Sequence, residues 1–247
     1  MGYKTVFRRY ELKYLITLEQ KKIIINAMSS YMKPDDYGRT AIRNIYYDTD
    51  SFRLIRDSIQ KPIYKEKLRV RSYDLATEDS TVFVELKKKY KSVVYKRRVS
   101  LTEREAEDWL LGRSHPKKHS QITDEIDYFL SYYATLRPAV FLSYEREAYF
   151  SNDGDDFRVT FDENILYRRD GLSLTLPPEG KSILKEGYSL MEIKTSGGIP
   201  LWMTHVLTEN KIFKTSFSKY GNAYREFALV YKDFTEENTN VYATFSD

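Results

Sequence analysis

The sequence predicts an α+β protein: eight antiparallel strands closing into a barrel or tunnel with a charged interior, and helices packed on the outside. Three observations carry this. Between Lys65 and Leu101, three consecutive segments place charge at every second position with apolar side chains between, the period of a strand rather than a helix. With 22 Tyr and 13 Phe in 247 residues the chain is rich in flat amphipathic rings, which suit a pleated surface. The other strand-like segments also have one charged and one apolar face. Eight such strands can remove their exposed edges by closing, and five one-sided helices are on hand to cover the apolar outside.

Taken in order, residues 8–16 alternate Arg9, Glu11 and Lys13 against Tyr10, Leu12, Tyr14 and Ile16, and read as the first strand. Thr17, with Gln20 three residues on, is a capping-box signal for a helix that runs to about Met32 and stops before Pro34. Arg43 to Asp48 is the second strand, and Asp50-Ser51 opens a short helical turn to about Asp57. The next three strands carry Lys65, Lys67, Arg69 and Arg71, then Glu85, Lys87 and Lys89, then Lys96 and Arg98, each row on one face. Only Tyr90-Lys91-Ser92 separates the last two, which predicts an antiparallel hairpin.

Thr102 with Glu105 signals a second capping box, for a helix through Leu111, and residues 121–135 form another helix. Ala139 to Phe150 and Asp156 to Leu166 are strands joined by the turn Ser151-Asn152-Asp153-Gly154. Residues 171–187, with Pro177-Pro178, form an irregular excursion with an extended piece at Ser173 to Leu176. Tyr188 to Ser196 is the eighth strand, followed by helices over about 201–213 and 216–231 and a polar tail from about Phe234. The whole chain, 1–247, reads as one domain with its core at about 5–230.

Composition narrows the chemistry. The 40 basic and 36 acidic residues nearly cancel, so any preference for anions must come from local clustering. The absence of Cys excludes thiol nucleophiles, thiolate metal sites and disulfides, and fits a cytoplasmic protein. The three His are not spaced as a metal-ligand set. No apolar run approaches the ~20 residues needed to span a bilayer, so no membrane segment is expected.

The charged strand faces collect Glu11, Lys13, Lys67, Arg69, Arg71, Glu85, Lys87, Lys96, Arg98, Arg146, Arg158, Asp162, Glu192 and Lys194, ten of the fourteen cationic. Like charges enclosed together repel strongly unless a polyanion neutralises them, and a chain of phosphates does so. Arg forks grip phosphate oxygens in pairs and Lys adds point charge. A carboxylate among phosphates would hold a divalent cation, Mn²⁺ or Mg²⁺. Each segment alone is also explained by a solvated face with cross-strand salt bridges; the excess of cations on strand after strand is what that explanation lacks.

The order of motifs resembles the VTC domain, the polyphosphate polymerase branch of the triphosphate tunnel metalloenzymes, which also include the CYTH-like phosphatases and cyclases. The resemblance rests on Arg9-Tyr10-Glu11-Leu12-Lys13-Tyr14, Tyr46-Tyr47-Asp48-Thr49-Asp50, Lys67-Leu68-Arg69-Val70-Arg71, Val84-Glu85-Leu86-Lys87, Lys96-Arg97-Arg98, Tyr144-Glu145-Arg146, Phe157-Arg158-Val159-Thr160-Phe161-Asp162, Met191-Glu192-Ile193-Lys194 and Phe217-Ser218-Lys219-Tyr220. It implies a tunnel that binds the triphosphate of ATP and passes the terminal phosphoryl group to phosphate or polyphosphate. Carried over by motif, Lys13, Arg69, Arg71, Lys87, Arg146, Arg158 and Lys219 would be catalytic phosphate holders. Lys67, Lys96, Arg98, Tyr144, Lys194 and Ser218 would bind substrate, and Glu192, Glu85 and Glu11 would hold the metal. Hydrolysis of inorganic or nucleoside triphosphate, and non-catalytic polyphosphate binding, are the competing functions; nucleic acid is not an expected partner.

Overall fold

The computed structural model of the chain describes residues 10–91 and 93–229. The expectations for residues 8 and 9, Ser92 and the tail from Phe234 lie outside these. The first strand, β1 (Tyr10–Thr17), runs into α1 (Leu18–Met28) through the expected capping box: the Thr17 hydroxyl accepts the Gln20 N–H at 3.2 Å and the Gln20 side-chain Oε1 accepts the Thr17 N–H at 3.0 Å. This helix ends four residues earlier than the sequence suggests. The Ser29 hydroxyl donates to the Asn26 carbonyl at 2.7 Å, and Met32–Pro34 is extended as β2. A residue before proline avoids helical geometry, and Met32 is buried among the apolar side chains under α1.

The chain continues through β3 (Thr40–Asp48), α2 (Arg53–Ile59), β4 (Tyr64–Tyr73), β5 (Thr81–Tyr90), β6 (Val93–Thr102), α3 (Glu103–Leu110) and α4 (Gln121–Tyr132). The Thr102–Glu105 capping box forms as the spacing predicts. The long β7 (Arg137–Ser151) pairs with β8 (Arg158–Arg168), and Pro138, which has no N–H to give, sits next to a register shift at Tyr46/Tyr47 of β3. In the excursion no strand forms at Ser173 to Leu176. The Arg168 guanidinium instead collects the carbonyls of Gly171, Ser173, Pro177 and Glu179 into a compact loop, which returns to the sheet at β9 (Lys181–Ser182). β10 (Tyr188–Thr195), α5 (Leu201–Glu209) and β11 (Lys214–Thr215) follow, and 219–229 is helical, as α6.

All the strands among the described residues join one antiparallel sheet of eleven, in the order β11-β1-β10-β8-β7-β3-β4-β5-β6, with β2 on β7 and β9 on β8. Eight are long and correspond to the eight expected; β2, β9 and β11 are short additions of two or three residues. Closure into a barrel does not follow, because no backbone ladder joins the two ends of this order among the described residues. The sheet nevertheless curls: Lys87 on β5 reaches Glu11 on β1, at 3.2 Å, across five intervening strands.

Two apolar layers lie on the outer face. One packs Ile45, Leu68, Val70, Val84 and Leu86 under Leu54 of α2, Trp109 of α3 and Phe129 of α4. The other packs Val159, Phe161, Met191 and Ile193 under α1 and α5. A third core lies on the inner face, where Tyr46, Val140, Leu142, Ile165, Tyr167 and Leu190 meet Tyr220, Ala223 and Phe227 of α6. The charged interior that the sequence predicts is therefore only part of the concave face: the rest is apolar and is filled by the last helix. No helix among the described residues is long and apolar enough to cross a membrane.

Candidate functional site

Strand alternation puts every charged row of the sequence on the concave face, opposite the buried apolar rows. The register then decides which charges meet. Arg69, Glu85 and Arg98 stand directly opposite one another on β4, β5 and β6. Glu85, 1 % exposed, is the centre of this group. Its Oε2 accepts from Arg69 Nε at 2.8 Å, and its Oε1 from Arg98 Nε at 2.7 Å and from Lys96 Nζ at 2.6 Å. Arg71 stands 3.9 Å away and donates to Asn44 Oδ1 at 3.0 Å. Burial by itself would raise the Glu85 carboxyl; Arg69, Arg71 and Lys96 outweigh it and hold the group far below the usual carboxylate range.

A second group forms on the opposite wall. Arg146 holds Asp162 in a fork, Nε to Oδ1 at 2.6 Å and Nη2 to Oδ2 at 2.7 Å, and Lys219 reaches the same carboxylate at 2.5 Å from α6. Lys219 and Arg146 both lie over the ring of Tyr144, at 4.4 and 5.2 Å. Burial raises the Tyr144 phenol, but Arg71, Arg146 and Lys219 bring it down to about 8. The two groups approach each other where Arg71 Nη2 donates to the Tyr144 hydroxyl at 3.4 Å.

Between them lie Glu192 and its neighbours. Lys194 Nζ is 3.4 Å and Arg146 Nη2 3.9 Å from Glu192, and Lys13 stands opposite it in the β1–β10 register. Despite burial, Lys194, Lys13, Lys219 and Arg146 keep the Glu192 carboxyl at about 2. Lys13 itself donates to the Phe217 carbonyl at 2.8 Å, and Lys67 to the Ser218 hydroxyl at 3.4 Å. Ser218 also caps α6, accepting the Gly221 N–H at 3.2 Å. Arg158 lies at the rim, over the Phe150 ring at 4.4 Å and 3.8 Å from Asp35.

All sixteen residues singled out in the sequence thus lie along one concave face, in linked groups: eleven cations, the hydroxyls of Tyr144 and Ser218, and three carboxylates, with Asp162 as a fourth. The three candidate metal ligands do not form one site. Glu85 has both oxygens engaged by cations and acts as a counter-charge. Glu11 and Glu192 are near enough to act on each other's charge, and the Thr160 hydroxyl, paired opposite Glu192 and fully buried, has no hydrogen-bond partner among the described residues. No cluster of three or more metal-ligating side chains occurs among the described residues. One or two carboxylates that leave the remaining positions to phosphate and water suit Mg²⁺ or Mn²⁺, so the residues fit such an ion.

Sequence reasoning did not single out Asn44, Tyr46 and Thr160, the neutral polar groups among the charges. All three alternate in phase with the charged rows, and that phase is the signal that would have found them.

The model of the VTC domain family matches residues 8–228. The chain belongs to the VTC domain family. Among curated proteins none matches the sequence significantly. A structure from Bacillus halodurans, provisionally assigned as an adenylate cyclase, is similar with a TM-score of 0.52 at 16 % identity, over 87 % of this chain and 95 % of that one. At that identity the likeness speaks for the fold alone. A provisionally assigned adenylyl cyclase from Hippeastrum, described as having a dominant triphosphatase activity, aligns with a TM-score of 0.49 at 13 % identity, over 85 % of this chain and 92 % of that one.

Proposed function

We propose that this VTC domain protein is a metal-dependent polyphosphate polymerase, which transfers the γ-phosphoryl group of ATP to phosphate or a growing polyphosphate chain inside a basic tunnel made by the curled sheet. The observation that carries the reading is the excess of charge on one enclosed face: eleven Lys and Arg against Glu11, Glu85, Asp162 and Glu192. Burying that many cations with four counter-charges is costly unless the ligand is itself a polyanion. Membership of the VTC family supports a phosphate chain as that ligand and transfer to it as the reaction.

Phosphoryl transfer asks for alignment and charge neutralisation more than for a covalent intermediate, and this face offers both. Arg69 and Arg98 are held in place by Glu85, Arg71 by Asn44 and Arg146 by Asp162, so their remaining N–H donors are fixed before substrate arrives and little ordering is left for binding to supply. Lys13, Lys67, Lys87, Lys194 and Lys219 add point charges along the same path. Glu192, with Glu11 or Thr160 beside it, would hold a divalent cation. When bound, that ion supplies Lewis-acid charge to phosphate oxygens. An oxygen of the acceptor phosphate attacks the γ-phosphorus in line, the bond to the bridging β–γ oxygen breaks, and ADP leaves with that oxygen.

Incubation of the purified protein with ATP and Mn²⁺ tests this. Chains long enough to form a ladder on a gel are expected, and Glu192→Gln should cut the rate by about 10²-fold or more. Release of orthophosphate with no chain product at any enzyme concentration would replace the polymerase by a triphosphatase. Tight binding without turnover would leave a polyphosphate-binding module.

A further inference from the structure

Asp48 does no work in the phosphate site, yet it is fully buried at the end of β3 and carries four hydrogen bonds. Its Oδ1 accepts the N–H groups of Thr49 and Leu54, at 2.8 and 2.9 Å; its Oδ2 accepts the Ile55 N–H at 3.0 Å and the Tyr220 hydroxyl at 2.8 Å. Two of the four, from Leu54 and Ile55, cap α2, whose own N-cap residue, Phe52, has no side chain able to do so, and the third, from Thr49, holds the turn before it. The fourth comes from 172 residues away, from the first turn of α6. Tyr220 is 2 % exposed and its ring stacks on Tyr46 at 4.8 Å, while the Tyr46 hydroxyl accepts from Arg69 Nη1 at 2.9 Å. The residues just before it are Ser218, beside Lys67, and Lys219, on Asp162.

We infer that Asp48 and Tyr220 form a positioning pair that fixes the start of α6 against α2, and thereby sets Lys219 at the phosphate site without either residue touching substrate. This inference rests on the phosphate-binding reading of that site. A helix entering the concave face has to be stopped at one depth and one rotation for Lys219 to meet Asp162. Apolar packing of Ala223 and Phe227 is non-directional and tolerates small shifts, whereas a buried charged acceptor with one hydroxyl donor does not. Burial and the Asp48 charge keep the Tyr220 phenol protonated throughout the working pH range, so the donor is permanent. The stacked Tyr46 carries the same constraint to Arg69, so both phosphate-facing walls take their position from this contact.

The test compares Tyr220→Phe, which keeps the ring and removes the donor, with Asp48→Asn as a second variant. Two measurements are made: amide hydrogen exchange over 219–229, and calorimetric binding of inorganic triphosphate with and without Lys219→Ala. Exchange in Tyr220→Phe should accelerate about tenfold while the sheet is unchanged. Triphosphate binding should weaken about tenfold, and Tyr220→Phe should add nothing once Lys219 is Ala, since the two act through one contact. Unchanged exchange overturns the pair whatever the ligand. An effect on binding of the same size in the Lys219→Ala background shows that the contact only stabilises the fold, and overturns the positioning role. Failure of the unaltered protein to bind triphosphate overturns the phosphate reading instead, and the exchange result still decides whether the contact holds the helix.

Discussion

At the scale of single residues, the lysines are the most informative groups. Burial lowers Lys67 to about 8, with Lys65, Lys13 and Lys87 adding repulsion against a gain from Tyr46; burial likewise brings Lys96 to about 8 despite Glu85. Because these values lie below those of the unfolded chain, the folded protein binds fewer protons between about pH 8 and pH 10, and free-protein stability rises with pH across that window. A polyanion reverses the preference. Binding at neutral pH holds both lysines charged, and affinity for inorganic triphosphate should fall about tenfold from about pH 7 to pH 9, with proton uptake on binding near pH 8. Calorimetry in buffers of different ionisation enthalpy measures both, and an affinity flat across that range would remove these lysines from the site. Glu85 gives the opposite experiment. Its folded value is depressed, so its contribution is complete above the unfolded value near 4.5 and is lost as the solution is acidified below it. Glu85→Gln leaves Arg69, Arg71, Lys96 and Arg98 facing one another, at a cost of about 3 kcal/mol, the lower end of the range for a broken buried pair because Lys96 and Arg98 still reach water. Urea unfolding at neutral pH checks it. The charged rows holding these residues are plain in the sequence. That Glu85 would neutralise cations and not ligate a metal is not, since it depends on four side chains arriving from the two strands that flank its own.

At the scale of elements, local signals read well. Both Thr capping boxes form where the spacing places them, because an N-cap hydroxyl and a side chain three residues on need only each other. Gln20 has a further role: its Nε2 donates to the Asn210 carbonyl at the end of α5, tying the two helices that cover one outer layer. Thr17→Ala should cost about 1 kcal/mol in a thermal or urea melt. What local signals misplace is where elements stop. The end of α1 and the short β2 are decided by a partner far along the chain, β7, and the turn at 173–176, where the sequence suggests an extended piece, by nearby Arg168, whose guanidinium gathers the loop carbonyls. Gly180 shows how tight that loop is. A Cβ there would lie 2.3 Å from the Tyr167 carbonyl oxygen, so the position takes no other residue without moving β9 off β8.

At the scale of the whole molecule, the concave face carries uncompensated positive charge, so its stability is coupled to its ligand. Inorganic triphosphate at about a hundredfold excess over its Kd should stabilise the protein by about 2.7 kcal/mol, read as a rise in Tm, and the rise should shrink with added salt as counter-ions compete. A neutral osmolyte control separates this from general stabilisation; equal shifts for triphosphate and control would mean that the face binds no phosphate chain. Much of this molecule was set by the sequence itself. Alternation at a period of two assigns each strand a charged and an apolar face, and the nearest-neighbour spacing of caps and turns assigns most of the elements, because both are properties of a few consecutive residues. Tertiary structure alone decided which way the sheet curls and which side chains share a carboxylate. It also decided that α6 fills part of the interior. Those outcomes depend on twist accumulated over eight long strands and on charges that meet across tens to hundreds of residues, and no window of sequence contains them.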